Sequence, residues 1–121
     1  MAARVLIVDD AAFMRYMIRN ILTKLGYEIA GEACNGEEAC ELYDRLTPDL
    51  MTLDLIMPRK TGLEALRDIR AKHPGARVIV MSAVDQRQPL MEALKLGAAD
   101  YLVKPFEEDR VRDSLSRLGL N

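Results

Sequence analysis

The sequence predicts an α/β protein, a doubly wound (βα)5 three-layer sandwich with a five-stranded parallel sheet between two layers of helices. Short apolar runs alternate with segments of helical spacing five times over, which is typical of parallel strands joined by helices. Three of these runs are almost continuously apolar, as strands buried on both faces are. Right-handed crossovers would place helices on both faces. We expect the strand order 2-1-3-4-5, one of the common doubly wound orders.

The predicted strands are short runs rich in branched or other apolar residues. The second run carries Glu28 and Glu32 among apolar neighbours, which favours a position at the edge of the sheet. The first, third and fourth runs are the apolar ones that favour the interior of the sheet. The five predicted strands are 4–8, 27–33, 49–53, 77–81 and 100–103.

The first two helices are predicted from apolar spacing and from residues that begin or end helices. Apolar residues recur at steps of four over 12–25, and Gly26 follows as a stop signal. Asn35 followed three residues later by Glu38 resembles a capping box. The residues at the helical spacing of these two segments are Phe13, Met17, Ile21 and Leu25, then Ala39, Leu42, Tyr43 and Leu46.

The last three helices are predicted in the same way. Pro89 is compatible with the first turn of the fourth helix, and Gly97 lies beyond its end. Glu107 and Glu108 open the fifth helix, where carboxylates interact favourably with the helix dipole. The apolar residues that mark these helices are Leu63, Leu66 and Ile69, then Leu90, Ala93 and Leu94, then Val111, Leu115 and Leu118.

The composition narrows the function classes. A chain of 121 residues fits one domain, which we expect to span 1–121. A net charge of −2 is no electrostatic footprint for nucleic acid. No apolar stretch reaches the ~20 residues of a membrane span, and no signal peptide is visible. We therefore expect a cytoplasmic protein that binds neither nucleic acid nor membranes. We also expect it to be a monomer.

The cysteines, the single histidine and the basic residues of the first helix carry no obvious chemistry. Cys34 and Cys40 lie six apart, outside zinc and redox spacings, and are interpreted as two reduced thiols. His73 has no second histidine to help build a metal site, and we interpret it as an incidental surface residue. The residues interpreted as a solvated helix face are Arg15, Arg19 and Lys24.

Polar residues stand just beyond four of the predicted strands. Asp9 and Asp10 follow the first strand, Asp54 the third, Ser82 the fourth and Lys104 the fifth. Ligands of doubly wound sheets bind beyond the carboxyl ends of the strands, so these side chains should meet at one edge. Three neighbouring carboxylates require protonation or a bridging cation.

The same residue types point to phosphoryl chemistry. Mg²⁺ takes oxygen ligands from one or two carboxylates, waters and phosphate oxygens. Lys104 supplies a point charge for a phosphoryl oxygen, and the Ser82 hydroxyl can donate to another. A carboxylate can itself be the nucleophile, so Asp54 could take a phosphoryl group.

Four motifs carry a resemblance to a known family: "LIVDDAAFMR", "LDLIMPRKTG", "VMSAV" and "DYLVKPF". They resemble the signature regions of the response-regulator receiver domain, in order and on the expected strands, over residues 4–118. The opening "VLIVDDAAFMR" and the absence of an output domain are most similar to stand-alone, CheY-like chemotaxis regulators.

The resemblance implies a role for each site residue. Asp54 would accept the phosphoryl group from the phosphohistidine of a sensor histidine kinase. Mg²⁺ would be bound by Asp10 and Asp54 and by the backbone carbonyl of Ile56, with Asp9 positioning it. Lys104 would pair with the phosphoryl group, and its bond to the following proline would be cis. The chain would catalyse only its own phosphotransfer and a slow autodephosphorylation.

The resemblance also implies a switch. Ser82 would move toward the phosphoryl group, and Tyr101 would turn inward behind it. This would change the surface of the fourth helix, fifth strand and fifth helix, where a target such as a flagellar switch component would bind. Ile56 and Val84 occupy positions that tune the access of water, and two apolar residues there suggest slow loss of the phosphoryl group.

Other readings stay open from the residues alone. A metal-dependent phosphatase with an aspartate nucleophile usually has a D-x-D arrangement and a cap domain, whereas Asp9 and Asp10 are adjacent. A flavodoxin-like electron carrier would need a Ser-, Thr- and Gly-rich loop after the first strand. A relay protein or a receiver excised from a larger regulator fits the motifs equally well.

We further expect Asp9 and Asp10 to destabilise the metal-free fold by repulsion.

Overall fold

Five strands and five helices alternate along the chain in the computed structural model, which describes residues 2–120. The strands are β1 (Arg4–Val8), β2 (Glu28–Ala33), β3 (Leu50–Asp54), β4 (Val78–Ala83) and β5 (Asp100–Lys104). The helices are α1 (Ala12–Lys24), α2 (Gly36–Leu46), α3 (Gly62–Lys72), α4 (Arg87–Lys95) and α5 (Glu108–Arg117). No helix within 2–120 has both the length and the apolar character needed to cross a membrane.

The strands form one parallel sheet in the order β2-β1-β3-β4-β5, which confirms the predicted fold class. The strand with the two glutamates, β2, lies at an edge as expected. Its pairing with β1 shifts once, because Val5 lies opposite Ile29 while Leu6 lies opposite Gly31. The remaining pairs keep one register, so the carboxyl ends of the central strands come together at one edge.

Two hydrophobic layers cover the sheet, which explains why the central strands β1, β3 and β4 are largely apolar. Leu6 and Val8 pack toward α2, α3 and α4, while Val5 and Ile7 pack toward α1 and α5. Successive side chains of a strand point to opposite faces, so neither face of β1 can be polar.

Two helical residues predicted from spacing are exposed instead of buried. Phe13 is 70% exposed, whereas Ile18 and Leu22 are the buried residues of α1. A step of four residues advances ~40° beyond a full turn, so residues twelve apart no longer share a face. Leu94 is likewise exposed, and Ala93 is the buried residue of α4.

The predicted capping box at the start of α2 is only half formed. Asn35 accepts a hydrogen bond from the backbone N–H of Glu38 at 2.9 Å, but the Glu38 carboxylate accepts from the backbone of Cys34. The complete box begins α3, where Thr61 and Glu64 accept each other's backbone N–H at 3.2 and 2.9 Å. The T-x-x-E pattern at these positions could have predicted it.

The histidine and the basic residues of α1 have specific partners. His73 Nε2 lies 2.8 Å from Asp44 Oδ1, and its ring centroid lies 4.9 Å from that of Tyr43, so His73 joins α2 to the end of α3 and is not incidental. Arg15 and Arg19 both pair with Glu32 of β2. Arg15 is partly buried, which corrects its interpretation as solvated, whereas Arg19 and Lys24 are exposed as expected. The two cysteines are free, as predicted.

Gly62 brings the start of α3 against the end of β3. Its N–H donates to the Leu55 carbonyl at 3.0 Å. A Cβ at this position would lie 2.2 Å from the Asp54 carbonyl oxygen and 2.6 Å from Leu55 Cα. These contacts are with backbone, which cannot move aside as a flexible side chain could.

We predict that Gly62→Ala lowers the free energy of unfolding by roughly 1–3 kcal/mol, because the added methyl group overlaps the β3 backbone. The matched control is Gly75→Ala, where a Cβ meets nothing within 4 Å. Urea denaturation of the two variants measures the difference. Equal stability of both variants would contradict the proposed close approach of α3 to β3.

Candidate functional site

The predicted polar residues come together at the carboxyl edge of the sheet. Asp9 follows β1, Asp54 ends β3, Ser82 lies near the end of β4, and Lys104 ends β5. Because all strands are parallel and β1, β3, β4 and β5 are neighbours, their ends lie side by side. The fold alone therefore brings residues 95 positions apart in sequence into contact.

Three carboxylates form the centre of this site. Asp9, Asp10 and Asp54 each offer an oxygen atom, and these atoms all lie within 4.8 Å of one another. Asp9 and Asp54 are buried, whereas Asp10 is exposed to solvent. A cluster of oxygen donors with one open side is suited to a hard divalent cation that keeps some of its water ligands.

Lys104 lies between two of the carboxylates. Its Nζ is 3.0 Å from Asp9 Oδ2 and 3.4 Å from Asp54 Oδ2. Burial disfavours the charged form of Lys104, but the hydrogen bond to Asp9 and the attraction of both carboxylates outweigh it and raise its pKa. The Lys104–Pro105 peptide bond is cis, as the resemblance implies.

The surroundings of Asp54 disfavour the charged form of its carboxylate. Burial raises its pKa, and the neighbouring negative charge of Asp9 raises it further, while Lys104 acts in the opposite direction. Its Oδ1 accepts a hydrogen bond from the Ile56 N–H at 3.2 Å. A buried carboxylate beside a second carboxylate is a group whose charge a cation would stabilise.

Both carboxylate oxygens of Asp9 have hydrogen-bond partners. Its Oδ1 accepts from the Ala11 N–H at 2.9 Å, and its Oδ2 accepts from Lys104. Its backbone carbonyl accepts from Arg15 Nη1 at 2.7 Å, so Arg15 holds the loop that carries the acidic pair. Asp9 is buried and Asp10 is exposed, so the adjacent pair is not equivalent, and the destabilisation expected from their repulsion stays a prediction. Arg15 was missed because only the fold brings it back to Asp9.

Ser82 is buried at 1% exposure, and its hydroxyl has no hydrogen-bond partner among the described residues. Buried hydroxyl groups are rarely left without a partner, so an unpaired one at a polar edge indicates a place for a polar group. The carboxylates, the ammonium group and this hydroxyl thus fit a divalent cation together with an anionic group.

Three apolar or aromatic residues close in sequence to the site residues have exposed side chains. Ile56 and Val84, two residues after Asp54 and Ser82 respectively, are 48% and 79% exposed. Tyr101, three residues before Lys104 on β5, is 37% exposed and lies at the surface. The structure therefore shows Tyr101 in an outer position.

Comparison with known proteins identifies the family. Residues 5–116 match the model of the response regulator receiver domain. The chain belongs to this family. Its Asp54 and Lys104 stand at the edge of the sheet where the four motifs meet, and membership of the receiver family favours the signalling switch over the aspartate phosphatase and the flavin carrier.

Individual relatives cover nearly the whole receiver. The chain is 51% identical to the chemotaxis protein CheY of Thermotoga maritima over 119 residues, which are 98% of this chain and 99% of that protein. It is 47% identical to CheY of Bacillus subtilis over 117 residues, 97% of this chain and 98% of that protein. Among solved structures, the CheX-CheY-BeF3-Mg complex from Borrelia burgdorferi matches with a TM-score of 0.92 and 33% identity, over 98% of this chain and 90% of that one.

We predict that Asp54→Asn stabilises the metal-free protein at neutral pH. Because the pKa of Asp54 is raised on folding, its ionised form costs stability above that pKa, and the cost disappears as the pH falls below the ordinary aspartate range. The gain from Asp54→Asn should therefore shrink in acid. Urea denaturation in the presence of a chelator, at neutral and at acid pH, measures it.

The control for this prediction is Asp100→Asn, whose expected effect has the opposite sign. Burial would raise the pKa of Asp100, but its hydrogen bonds and two neighbouring arginines outweigh burial and lower it. Its carboxylate therefore stabilises the fold above the ordinary aspartate pKa, and that stabilisation is lost in acid. Loss of stability at neutral pH in Asp54→Asn would show that Lys104 dominates over burial and Asp9.

Proposed function

We propose that the chain is a single receiver domain over 1–121 that accepts a phosphoryl group on Asp54. The donor is the phosphohistidine of a sensor histidine kinase, and the reaction depends on Mg²⁺. The observation that carries the proposal is the buried Asp54 carboxylate, with Lys104 Nζ 3.4 Å away and two more carboxylates beside it. Neutralising charge and positioning are what phosphoryl transfer requires of a protein.

The residues of the chain have distinct parts in this transfer. A carboxylate oxygen of Asp54 attacks phosphorus, an O–P bond forms, the N–P bond to the donor imidazole breaks, and the imidazole leaves with the bonding electrons. Lys104 neutralises charge on the phosphoryl oxygens, and the unpaired Ser82 hydroxyl donates to one of them. The apolar side chains of Ile56 and Val84 limit the approach of water.

The acidic cluster would hold the metal. Asp10 and Asp54 would be its carboxylate ligands, the Ile56 backbone carbonyl would be a third, and Asp9 would position it. Bound Mg²⁺ supplies positive charge that offsets the negative charge of the carboxylates and of the incoming phosphoryl group. The donor set fits, since the three carboxylates lie within 4.8 Å of one another and one side is open to solvent.

The proposed output is a changed surface on α4, β5 and α5. When Ser82 engages the phosphoryl group, Tyr101 turns inward and alters the face that a target binds. The similarity to chemotaxis proteins named CheY supports a role in chemotaxis, with a flagellar switch component as target. The CheX-CheY complex among the structural relatives supports protein partners for this fold. We place this activity in the cytoplasm, in a monomer.

We predict that incubation with acetyl phosphate and Mg²⁺ adds one phosphoryl group to the protein, measured by intact-protein mass spectrometry. Asp54→Asn should abolish the adduct, and a chelator should suppress it. Asp113→Asn is the matched control, because Asp113 is exposed on α5 and lies outside the acidic cluster.

The same experiment separates the alternatives. Turnover of many phosphate esters without a lasting adduct would instead indicate a phosphatase, and a yellow protein would indicate a flavin carrier. An adduct that persists in Asp54→Asn would overturn the assignment of the acceptor.

We predict that Ile56→Asn accelerates loss of the phosphoryl group several-fold, because a polar side chain beside Asp54 can orient the attacking water. Ile56→Val, which keeps the surface apolar, is the control. Decay of the adduct after removal of acetyl phosphate measures the rate. An unchanged rate in Ile56→Asn would show that this position does not control water access.

A further inference from the structure

Arg110 of α5 contacts Tyr101 in two ways. Its Nη2 donates to the Tyr101 carbonyl at 2.8 Å. Its guanidinium carbon lies 5.6 Å from the centroid of the Tyr101 ring, within the range of a cation–π interaction. One side chain therefore holds both the backbone and the ring of the same residue.

The backbone around Tyr101 is held by a second group, the Asp100 carboxylate. Asp100 Oδ1 accepts from the Tyr101 N–H at 2.8 Å. Asp100 Oδ2 accepts from Ser114 Oγ at 2.6 Å and from Arg117 Nη2 at 2.7 Å, so this carboxylate joins β5 to α5. With the Tyr101 N–H bonded to Asp100 and its carbonyl bonded to Arg110, the movable part of Tyr101 is its side chain.

The inner position of the ring would lie toward Ser82. Val80 pairs with Tyr101 and Ser82 pairs with Val103, so the side chains of Tyr101 and Ser82 project from the same face of the sheet. The Ser82 hydroxyl has no hydrogen-bond partner among the described residues, and Ser82 lies two residues along β4 from Val80, the partner of Tyr101. Inward rotation of the ring would exchange the contact with Arg110 for a place beside Ser82.

The guanidinium group of Arg110 has few partners that compete with its contact to the Tyr101 ring. Arg110 Nη1 is buried and has no hydrogen-bond partner among the described residues, and Arg110 Nη2 lies 3.9 Å from Asp100 Oδ1. A partly desolvated cation interacts more strongly with an aromatic ring than a solvated one does. The Asp100 carboxylate thus helps to hold the guanidinium group beside the ring.

We propose that Arg110 is a positioning residue that holds the Tyr101 ring at the surface in the unphosphorylated receiver. It thereby sets the resting balance between the outer and inner positions of the ring. As far as signalling is concerned, this proposal rests on the proposed phosphorylation of Asp54, but the contact between Arg110 and the ring is testable without it. A cation–π interaction of ordinary strength changes such a balance roughly two- to fivefold.

Three variants separate the roles of Arg110. Arg110→Gln keeps an amide that can donate to the Tyr101 carbonyl and removes the charge beside the ring. Arg110→Lys keeps the charge and should partly restore the ring position. Arg112→Ala is the matched control, since Arg112 pairs only with Glu108 and Asp109 among the interactions found for it.

The primary measurement is the side-chain rotamer population of Tyr101 without acetyl phosphate, obtained from three-bond couplings between the ring carbon Cγ and the backbone nitrogen and carbonyl carbon. In Arg110→Gln we expect the population of the inner rotamer to rise roughly two- to fivefold relative to the outer one. The rise should be smaller in Arg110→Lys, and the populations should stay unchanged in Arg112→Ala. A purely structural role for Arg110 would lower the free energy of unfolding and leave the rotamer populations unchanged, which would overturn the proposal.

A second measurement connects the contact to signalling. With acetyl phosphate and Mg²⁺, Arg110→Gln should reach half-maximal phosphorylation at a concentration two- to fivefold lower than the wild-type protein, by the same shift in balance. An unchanged half-maximal concentration, with altered rotamers, would overturn the part of the proposal that concerns signalling. Failure of the wild-type protein to be phosphorylated would overturn the proposed function and leave the rotamer result standing as the test of the contact.

Discussion

The site depends on one partly buried ammonium group between two buried carboxylates. Lys104 Nζ lies 3.0 Å from Asp9 and 3.4 Å from Asp54, so it joins the ends of β1, β3 and β5 at the edge of the sheet. Without Lys104 the two carboxylates would face each other with no positive charge beside them, which is costly in a buried place. One ammonium group offsets only part of the charge of three carboxylates, and the remainder makes the edge attractive to a cation.

The order of the sheet could be predicted from the sequence because it requires only a pattern within short segments and general rules for parallel sheets. The alternation of apolar runs and helical segments is visible in the letters, and the rules for parallel sheets then place Asp9, Asp54, Ser82 and Lys104 at one edge. The exposure of Phe13 could not be predicted from a spacing of four residues. Each step of four exceeds a full helical turn, so after three steps the side chain no longer lies on the face that meets the core.

The parts that the sequence did not predict are contacts between distant segments. Arg15 meets Glu32 only because α1 packs beside β2, and His73 meets Asp44 only because α2 and α3 lie side by side. The cap of Thr61 was visible as a pattern, but Gly62 shows its importance only when the backbone of β3 lies against it. Such contacts depend on the spacing of elements, which periodicity does not report.

The two halves of β5 connect the acidic site to the outer surface. Lys104 stands at its carboxyl end and reaches Asp9 and Asp54, while Tyr101 lies three residues earlier and meets Arg110. Asp100 fixes the start of the strand to α5 through Ser114 and Arg117. Because β5 is held at both ends, its backbone has little freedom to move when the charge at Asp54 changes. The Ser82 hydroxyl has no hydrogen-bond partner among residues 2–120 and the Tyr101 ring contacts the Arg110 guanidinium group, so the response that we propose falls on these two side chains.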